Sequence, residues 1–221
     1  MASAVSASTL AAREAMIDSQ LKPCGIVSPR VVGAFFAVPR ENYVAPSRRG
    51  LAYVDAPQAL GNGRELLAPL SLGHLIEQAD ARPEDRVLVV GATTGYSAAI
   101  LATLADHVVA LESDAGLAAA ARANLASYPN VRVIEGPLEA GAEDFGPFTL
   151  ILIDGAVETL PSDLVAQLAE GGRLLAILTG SDGVSRAAKG IRQAGILRLE
   201  PFAEAAGSLL PSFGKAPAFQ F

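Results

Sequence analysis

The sequence predicts an α/β fold with a mostly parallel central sheet, an antiparallel strand at its C-terminal end and an N-terminal helical extension. From residue 86 onward, short apolar runs alternate with helical segments, and the connections between them are short. The runs are continuously apolar, as expected when helices cover both faces of a parallel sheet. Residues 10–80 carry no repeated strand pattern, so helices and loops are predicted there.

Length and composition favour one globular domain over residues 1–221, with the extension at residues 10–80 and the core at residues 86–221. Hydrophobic residues make up 51% of the chain and charged residues 18%, which argues against disorder. The net charge of −6 offers no basic face for a phosphate backbone, so nucleic acid is not an expected partner. No apolar run reaches the roughly 20 residues that span a bilayer, so no membrane association is expected.

Cysteine and histidine are scarce. Cys24 is the only cysteine, which excludes an intramolecular disulfide and makes a reducing cytoplasm the simplest compartment. Residues 1–8 lack the basic start and apolar stretch of a signal peptide, and they are predicted to form a frayed tail. His74 and His107 have no second ligand at metal-binding spacing, so no metal site is predicted.

Two helices are predicted in the N-terminal extension. Thr9 is a suitable cap for a helix that runs to Leu21. Ser28 suits the N-cap of a second helix and Pro29 its first position, and Pro39 ends that helix.

A long connection over residues 41–69 follows, rich in proline and glycine and including Gly61-Asn62-Gly63. Loops of that length in a compact domain are usually functional. The connection is therefore a candidate substrate-facing wall.

The core elements follow from the alternation after residue 86. Strands are expected at 86–90, 107–112, 131–135, 148–153, 173–178 and 195–200, and helices at 95–105, 114–127, near 161–169 and near 183–193. Residues 216–221 resemble a final strand. Because no crossover helix fits before it, this strand would add antiparallel to the sheet.

The loop Gly91-Ala92-Thr93-Thr94-Gly95, between the first core strand and its helix, is the first candidate for a ligand site. In open α/β sheets, ligands bind beyond the carboxyl ends of the strands. The glycines permit tight turns, and the helix that starts near Gly95 directs free N–H groups at a ligand. Glu112 ends the next strand about 20 positions later, where its carboxylate can accept hydrogen bonds from both hydroxyls of a ribose. Loop and acid together indicate an adenosine-type ligand.

Each of these residues also has a purely structural interpretation. Gly91 and Gly95 could simply form a tight strand–helix turn, and Glu112 could be a solvated strand end. Asp154, at the end of its strand, could face the crevice or cap the following turn, and the sequence leaves both open.

Several further motifs occur in one order along the chain. They are Met16…Gln20…Gly25-Ile26, Val38-Pro39-Arg40, Ala52-Tyr53-Val54-Asp55, the run from Val87 to Ala99, and Pro161…Leu164…Gln167-Leu168…Gly171-Gly172-Arg173-Leu174. With these motifs the chain resembles the protein-L-isoaspartate O-methyltransferase family over roughly residues 12–180. The resemblance implies a Rossmann-like methyltransferase fold and S-adenosylmethionine as methyl donor, with S-adenosylhomocysteine as product. The implied substrate is the carboxylate of isoaspartyl residues in damaged proteins or peptides.

The resemblance also implies which residues contact the ligands. The cofactor-binding positions are Gly91, Ala92, Thr93, Gly95, Glu112, Ser113, Pro137 and Leu138, and the substrate-loop positions are Leu67 and Ala68. No residue is assigned as catalytic, because Leu67 stands where the family's Thr-Ile-Ser-x-Pro loop has its serine.

Other positions also depart from the family pattern. The run Glu65-Leu66-Leu67-Ala68-Pro69 replaces the hydroxyl-bearing loop, Val89 replaces an acid, and Pro137-Leu138 replaces an Asp-Gly pair. Thr93 replaces the middle glycine of a Gly-x-Gly-x-Gly loop, whereas Glu112 is retained. Because a β-branched residue is disfavoured at positive φ, Thr93 is expected to force another loop conformation or to keep the loop further from its ligand.

Methylation of an isoaspartyl carboxylate is therefore the leading hypothesis. The apolar run Leu66-Leu67-Ala68 leaves open a methyltransferase with a different, more apolar acceptor. The changed ligand loops leave open a catalytically silent relative kept as a binding module. A nicotinamide dehydrogenase fits the helical preface over residues 10–80 poorly.

Overall fold

The N-terminal extension is helical in the computed structural model, which describes residues 2–215, with side chains from residue 8 onward. Its helices are α1 (Ala2–Met16), a π-helical turn (Ile17–Leu21), α2 (Pro29–Ala37) and α3 (Pro69–Ala79). The predicted frayed tail and the predicted cap at Thr9 are wrong, since α1 already begins at Ala2 and Thr9 lies inside it. Alanine, the best helix former, is frequent in this stretch. Pro29 opens α2 directly after Ser28, as predicted.

A two-stranded hairpin lies within the connection predicted as a loop over residues 41–69. Its strands are β1 (Gln58–Gly61) and β2 (Arg64–Leu66), which pair antiparallel. Asn62 (φ 50°) and Gly63 (φ 71°) form the turn between them, and Asn-Gly is the sequence that such turns prefer. The prediction of no strand here is wrong, because these strands are too short for an alternating pattern to show.

The main sheet has seven strands within residues 2–215, in the order β5-β4-β3-β6-β7-β8-β9. They are β3 (Arg86–Val90), β4 (His107–Glu112), β5 (Val131–Glu135), β6 (Phe148–Val157), β7 (Leu168–Thr179), β8 (Ser185–Ile191) and β9 (Glu200–Glu204). Neighbours from β5 across to β7 pair in parallel, whereas β8 and β9 add antiparallel. The predicted fold class is confirmed.

Apolar layers cover both faces of this sheet. Successive residues of β3 point to opposite sides, so that Val87 and Val89 join one buried cluster and Leu88 and Val90 the other. The helices between the strands are α4 (Tyr96–Ala102), α5 (Ala115–Asn124) and α6 (Ser162–Gln167). The strands β3, β4 and β5 have the predicted bounds, whereas β6 and β7 are longer than predicted.

The chain after β7 forms hairpins, so the predicted helix near 183–193 is wrong. Gly180 and Val184 are joined by an N–H to carbonyl hydrogen bond of 3.0 Å, and Gly183 between them has φ 73°. This tight turn reverses the chain, and β8 then pairs antiparallel with β7. The alanines and basic residues of this stretch are typical of a helix, but the Asp182-Gly183 pair is a hairpin signal.

The predicted strand over residues 195–200 is also wrong. Ala194 (φ 52°) and Gly195 (φ 76°) form a second tight turn, closed by hydrogen bonds between the backbones of Gln193 and Ile196. The strand β9 therefore starts only at Glu200. The strand predicted at 216–221 lies outside the described residues.

Beyond β9 the chain crosses the carboxyl end of the sheet. We refer to residues 206–215 as the C-terminal segment. The N–H of Ala156 in β6 donates to the carbonyl of Ser208 at 2.9 Å, and the N–H of Leu210 donates to the carbonyl of Ala156 at 3.0 Å. The segment is thereby held along the last residues of β6. In the described part of the chain, no helix is long and apolar enough to cross a membrane.

Candidate functional site

The candidate site lies where the strand order reverses. After β3 the chain adds β4 and β5 on one side, and it then returns to place β6 on the other side. The loop after β3 and the end of β6 therefore flank one crevice at the carboxyl end of the sheet, where ligands of open α/β sheets bind.

The predicted cofactor loop makes two sharp turns that depend on glycine. Gly91 has φ 79° and Gly95 has φ 98°, in the left-handed region that glycine adopts without strain. A Cβ at Gly95 would lie 2.7 Å from Cδ1 of Leu125, so the residue that caps the C-terminus of α5 packs directly against this turn. The N–H groups of Gly91 and Ala92 both donate to the carbonyl of Leu111 at 2.9 Å, which ties the loop to β4.

Thr93 adopts the left-handed conformation in spite of its branched side chain. Its φ is 52°, so the expectation of another loop conformation is wrong. The Thr93 N–H donates to Oε2 of Glu112 at 2.7 Å, a bond to a buried charge that offsets strain of about 1–3 kcal/mol. Its hydroxyl is buried and has no hydrogen-bond partner among residues 2–215.

Glu112 lies beside this loop, but its carboxylate is already fully engaged. The side chain is 0% exposed. Besides Thr93, the N–H groups of Ser113 and Asp114 donate to Oε1 at 2.8 and 3.0 Å. The Arg64 guanidinium binds both oxygens, with Nη1 at 2.7 Å from Oε1 and Nη2 at 3.0 Å from Oε2.

Arg64 reaches this position from β2, which the hairpin brings over the crevice. Its side chain is 4% exposed, and Nη2 also donates to the carbonyl of Gly91 at 3.2 Å. Planar guanidinium and carboxylate groups match in such a bidentate pair, which fixes the relative position of β2 and β4. The acid predicted to hold a ribose therefore holds an arginine of the same chain.

Leu210 of the C-terminal segment fills the space beside the glycine loop. A Cβ at Gly91 would lie 3.2 Å from both methyl carbons of Leu210, and one at Gly155 would lie 2.6 Å from Leu210 Cδ2. Leu210 belongs to the buried cluster that also contains Leu138 and Phe213. All residues of the loop Gly91–Gly95 are buried.

A group of buried polar side chains lies below the loop. Asp154 on β6 faces Ser97 of α4, whose hydroxyl donates to its Oδ2 at 2.5 Å. Of the two positions that the sequence left open, Asp154 therefore faces the crevice and does not cap the following turn. Burial raises the pKa of Asp154 to about 6 in spite of that hydrogen bond. The Arg40 guanidinium lies 4.9 Å above the Tyr96 ring, and both side chains are fully buried.

Several atoms of this group have no hydrogen-bond partner among the described residues. They are Oδ1 of Asp154, Nη1 of Arg40 and the hydroxyl oxygens of Thr93 and Tyr96. Unsatisfied buried polar atoms are rare and costly, and they concentrate at functional sites. This end of the sheet therefore has the polar chemistry of a binding site.

The remaining predicted cofactor contacts lie at the rim. Ser113 is exposed and lies next to Glu112, and Pro137 is exposed after β5. Leu138 is buried and packs in the same cluster as Leu210. The structure thus brings Gly91–Gly95, Glu112 and Leu138 together, with Ser113 and Pro137 at the edge.

The predicted substrate loop lies under the C-terminal segment. Leu67 is buried, and a Cβ at Gly207 would lie 2.7 Å from its Cδ2 atom. The Leu67 carbonyl accepts a hydrogen bond of 2.6 Å from Nη2 of Arg40. Ala68 is half-buried and precedes α3 as its N-cap residue.

Arg64 and Leu210 are site residues that the sequence did not single out, whereas Tyr96 and Ser97 belong to the motif from Val87 to Ala99 but had no assigned role. Arg64 carries no distinctive signal, because its neighbour Glu65 is also charged and the strand is too short for a pattern to show. Leu210 carries no signal, since its chain neighbours are ordinary loop residues.

Solved structures define the class of protein. A protein-L-isoaspartate O-methyltransferase structure matches 91% of this chain and 67% of its own, with a TM-score of 0.79 and 23% identity. A second such structure, from Plasmodium falciparum in complex with S-adenosyl-L-homocysteine, matches 92% of this chain and 98% of its own, with a TM-score of 0.74 and 22% identity. At this identity the likeness concerns the fold, which is that of a Rossmann-like methyltransferase.

Sequence similarity then defines the family. The family model for protein-L-isoaspartate(D-aspartate) O-methyltransferase matches residues 11–194. A protein-L-isoaspartate O-methyltransferase of Koribacter versatilis is 41% identical over 165 residues, 74% of this chain and 74% of its own. One of Methanoregula boonei is 41% identical over 170 residues, 76% of this chain and 78% of its own. The chain belongs to the protein-L-isoaspartate(D-aspartate) O-methyltransferase family, a family of S-adenosylmethionine-dependent enzymes.

The crevice of this structure does not fit S-adenosylmethionine as it stands. Glu112 has no exposed surface and is fully bonded within the chain. The Leu210 side chain occupies the space above Gly91 and Gly155, which would have to be free for the cofactor to bind. The residue types of the family site are partly present, and in this arrangement Arg64 occupies the carboxylate of Glu112 while Leu210 covers Gly91.

Proposed function

We propose that this chain transfers a methyl group from S-adenosylmethionine to the carboxylate of isoaspartyl residues in damaged proteins or peptides. The observation that carries the proposal is the pairing of a glycine loop after β3 with Glu112 at the end of β4, in a chain that belongs to the family. The proposed cofactor contacts are those inferred from the sequence, Gly91–Gly95 and Glu112 foremost.

The proposed reaction makes modest demands on the protein. A carboxyl group with a pKa of about 4 is already ionised at neutral pH, so its oxygen needs no general base. The chain's contribution is to orient the acceptor and to exclude water. This agrees with a site in which Leu67 replaces a hydroxyl-bearing residue and in which no acid–base residue is assigned as catalytic.

Partner and compartment follow from the same proposal. The partner is a protein or peptide substrate, and the net charge of −6 gives no support to nucleic acid or to an anionic membrane surface. A single cysteine, exposed Cys24, is consistent with the cytoplasm. We further propose that residues 1–221 work as one domain.

The test is transfer of labelled methyl to a pair of peptides that differ only in an isoaspartyl or an aspartyl linkage. We expect label in the isoaspartyl peptide and none in the aspartyl one. Tight binding of S-adenosylhomocysteine without labelling of the isoaspartyl peptide would contradict the proposal and favour a different acceptor.

A second candidate function is a catalytically silent relative kept as a binding module. It is favoured by one observation, the occupation of Glu112 by Arg64 within the chain. Calorimetry with S-adenosylhomocysteine separates the two candidates, since micromolar binding to the wild-type chain or to a variant with an opened crevice counts against the silent module.

A further inference from the structure

The C-terminal segment places the Leu210 side chain inside the crevice. Leu210 is 3% exposed, whereas its neighbour Leu209 is 46% exposed. A Cβ at Gly91, just after β3, or at Gly155 in β6 would lie only 3.2 or 2.6 Å from a Leu210 methyl carbon, so that Leu210 packs directly on both backbones. One leucine therefore closes the space between the two strands that flank the switch point.

Backbone hydrogen bonds hold the segment along β6. In addition to the bonds between Ala156, Ser208 and Leu210, the N–H groups of Glu158 and Thr159 donate to the carbonyl of Phe213 at 2.9 and 3.0 Å. These backbone bonds lie along the end of β6 and the two residues after it, so their release leaves the pairing between the strands of the sheet intact.

The segment also contacts the loop that bears the proposed substrate positions. The Ser208 N–H donates to Oε1 of Glu65 at 2.8 Å, and Gly207 packs against Leu67. Glu65 and Leu67 are two of the positions at which this chain departs from the hydroxyl-bearing family loop. The changed side chains are thus the ones that bind the segment.

Space for movement exists beside the segment. A cavity of about 560 Å³ lies between it and the β1–β2 turn, lined by residues of both, among them Asn62, Gly63 and Pro211. Ser212 in the segment has φ 68°, a strained conformation for a residue other than glycine. A strained turn beside a cavity lowers the cost of moving Leu210 out of the crevice.

We propose that the C-terminal segment is an intramolecular plug, and that Leu210 and S-adenosylmethionine exclude each other from the crevice. The inference rests on the proposed function only in taking S-adenosylmethionine as the ligand. Two contacts keep the crevice closed, Leu210 on the loop and Arg64 on Glu112, and both must be released before the ligand enters.

The first test measures binding of S-adenosylhomocysteine by calorimetry to the wild-type chain, Leu210→Ala and Leu209→Ala. Leu210→Ala is expected to bind at least about tenfold more tightly than wild type, because the buried plug is shortened. Leu209→Ala makes the same chemical change one residue away on an exposed side chain, and its affinity is expected to stay within about twofold. Equal affinity of wild type and Leu210→Ala, including no binding to either, overturns the proposal.

The second test needs no variant and therefore does not depend on how well Leu210→Ala folds. Amide hydrogen exchange of the wild-type chain is followed with and without saturating S-adenosylhomocysteine. Exchange at the amides of Ala156, Glu158 and Leu210 is expected to speed up when the ligand binds. Binding with these amides still protected overturns the proposal. Neither test involves methyl transfer, so an isoaspartyl peptide that stays unlabelled contradicts only the proposed function.

Discussion

Two buried ion pairs lie at opposite ends of the sheet. At the amino end, a carboxylate oxygen of Asp85, just before β3, lies 2.6 Å from Nη2 of Arg173. At the carboxyl end, a carboxylate oxygen of Glu112, the last residue of β4, lies 2.7 Å from Nη1 of Arg64. Both pairs join a carboxylate to an arginine that is distant in the chain. The Arg173 side chain keeps 16% of its surface exposed, whereas Arg64 is almost fully buried. Water can therefore partly solvate the first pair but not the second.

The surroundings of the two pairs differ more than the pairs themselves. Both oxygens of Asp85 are bonded, and its partners are Arg173, the Thr149 hydroxyl at 2.6 Å and the Arg82 N–H at 2.7 Å. At the carboxyl end, one oxygen of Asp154 has no partner among the described residues. Hydrogen bonding is thus complete at the carboxylate of Asp85 and incomplete at that of Asp154, which lies where a site is expected.

The largest expected effect comes from breaking the carboxyl-end pair. Glu112→Ala leaves the Arg64 guanidinium buried without a counter-charge, and we expect a loss of about 3–5 kcal/mol in the free energy of unfolding. Asp85→Ala is the matched change at the other end, with an expected loss of about 2 kcal/mol, because Arg173 stays partly solvated. Urea unfolding of both variants measures the difference.

Arg64→Gln/Glu112→Gln is the control for the first of these variants. The two amides can still bond each other and the backbone N–H groups, so the double variant is expected to recover more than half of the stability lost in Glu112→Ala. A larger loss for Asp85→Ala than for Glu112→Ala would contradict the contrast between the two ends.

A change of pH is expected to have a smaller effect on the free energy of unfolding, and the sign of that effect is opposite for Asp154 and for Asp85. Burial raises the pKa of Asp154 to about 6, above its value of about 4 in the unfolded chain, so the folded state binds more protons between these values. Stability therefore falls as pH rises from about 4 to 6, by about 2–3 kcal/mol in all. Asp154→Asn mimics the protonated form, and its advantage over wild type is expected to grow across this window.

The contribution of Asp85 to stability has the opposite dependence on pH. Burial opposes its ionisation, but the bonds from Arg173, Thr149 and the Arg82 N–H together lower its pKa below the usual value. Its stabilisation is present above the unfolded pKa and is lost as pH falls through the folded pKa. Asp85→Asn should therefore cost most at neutral pH and least in acid. Urea midpoints of both variants from about pH 2 to 7.5 measure this, because the change at Asp85 falls below about pH 4 and the change at Asp154 above it. Parallel curves for the two would exclude the assignment.

The sequence predicted the elements that local patterns determine. The strands β3, β4 and β5 are continuous apolar runs, and the loop Gly91–Gly95 and Glu112 follow neighbouring parallel strands, so their proximity could be inferred. The β8–β9 hairpins are not predictable in this way, because alanine and basic residues suit a helix and only the Asp182-Gly183 turn signals a hairpin.

The contents of the crevice could not be inferred in the same way. Arg64 and Glu112 are far apart in sequence, and their contact depends on where the β1–β2 hairpin packs. Leu210 enters the crevice only because the C-terminal segment follows the end of β6. Neither placement leaves a periodic pattern or a motif, since each results from tertiary packing alone.

The smallest expected effect concerns strain in the cofactor loop. The φ of 52° at Thr93 and its buried hydroxyl, which has no partner among residues 2–215, both destabilise the folded state. Thr93→Gly is therefore expected to raise stability by about 1 kcal/mol. Thr94 is the matched neighbour, since its hydroxyl donates to the Tyr43 carbonyl at 2.7 Å. Thr94→Gly should lower stability by about 1–2 kcal/mol, through the lost hydrogen bond and the flexibility of glycine. If Thr93→Gly lowers stability as much as Thr94→Gly does, the backbone at Thr93 is unstrained and the prediction is contradicted.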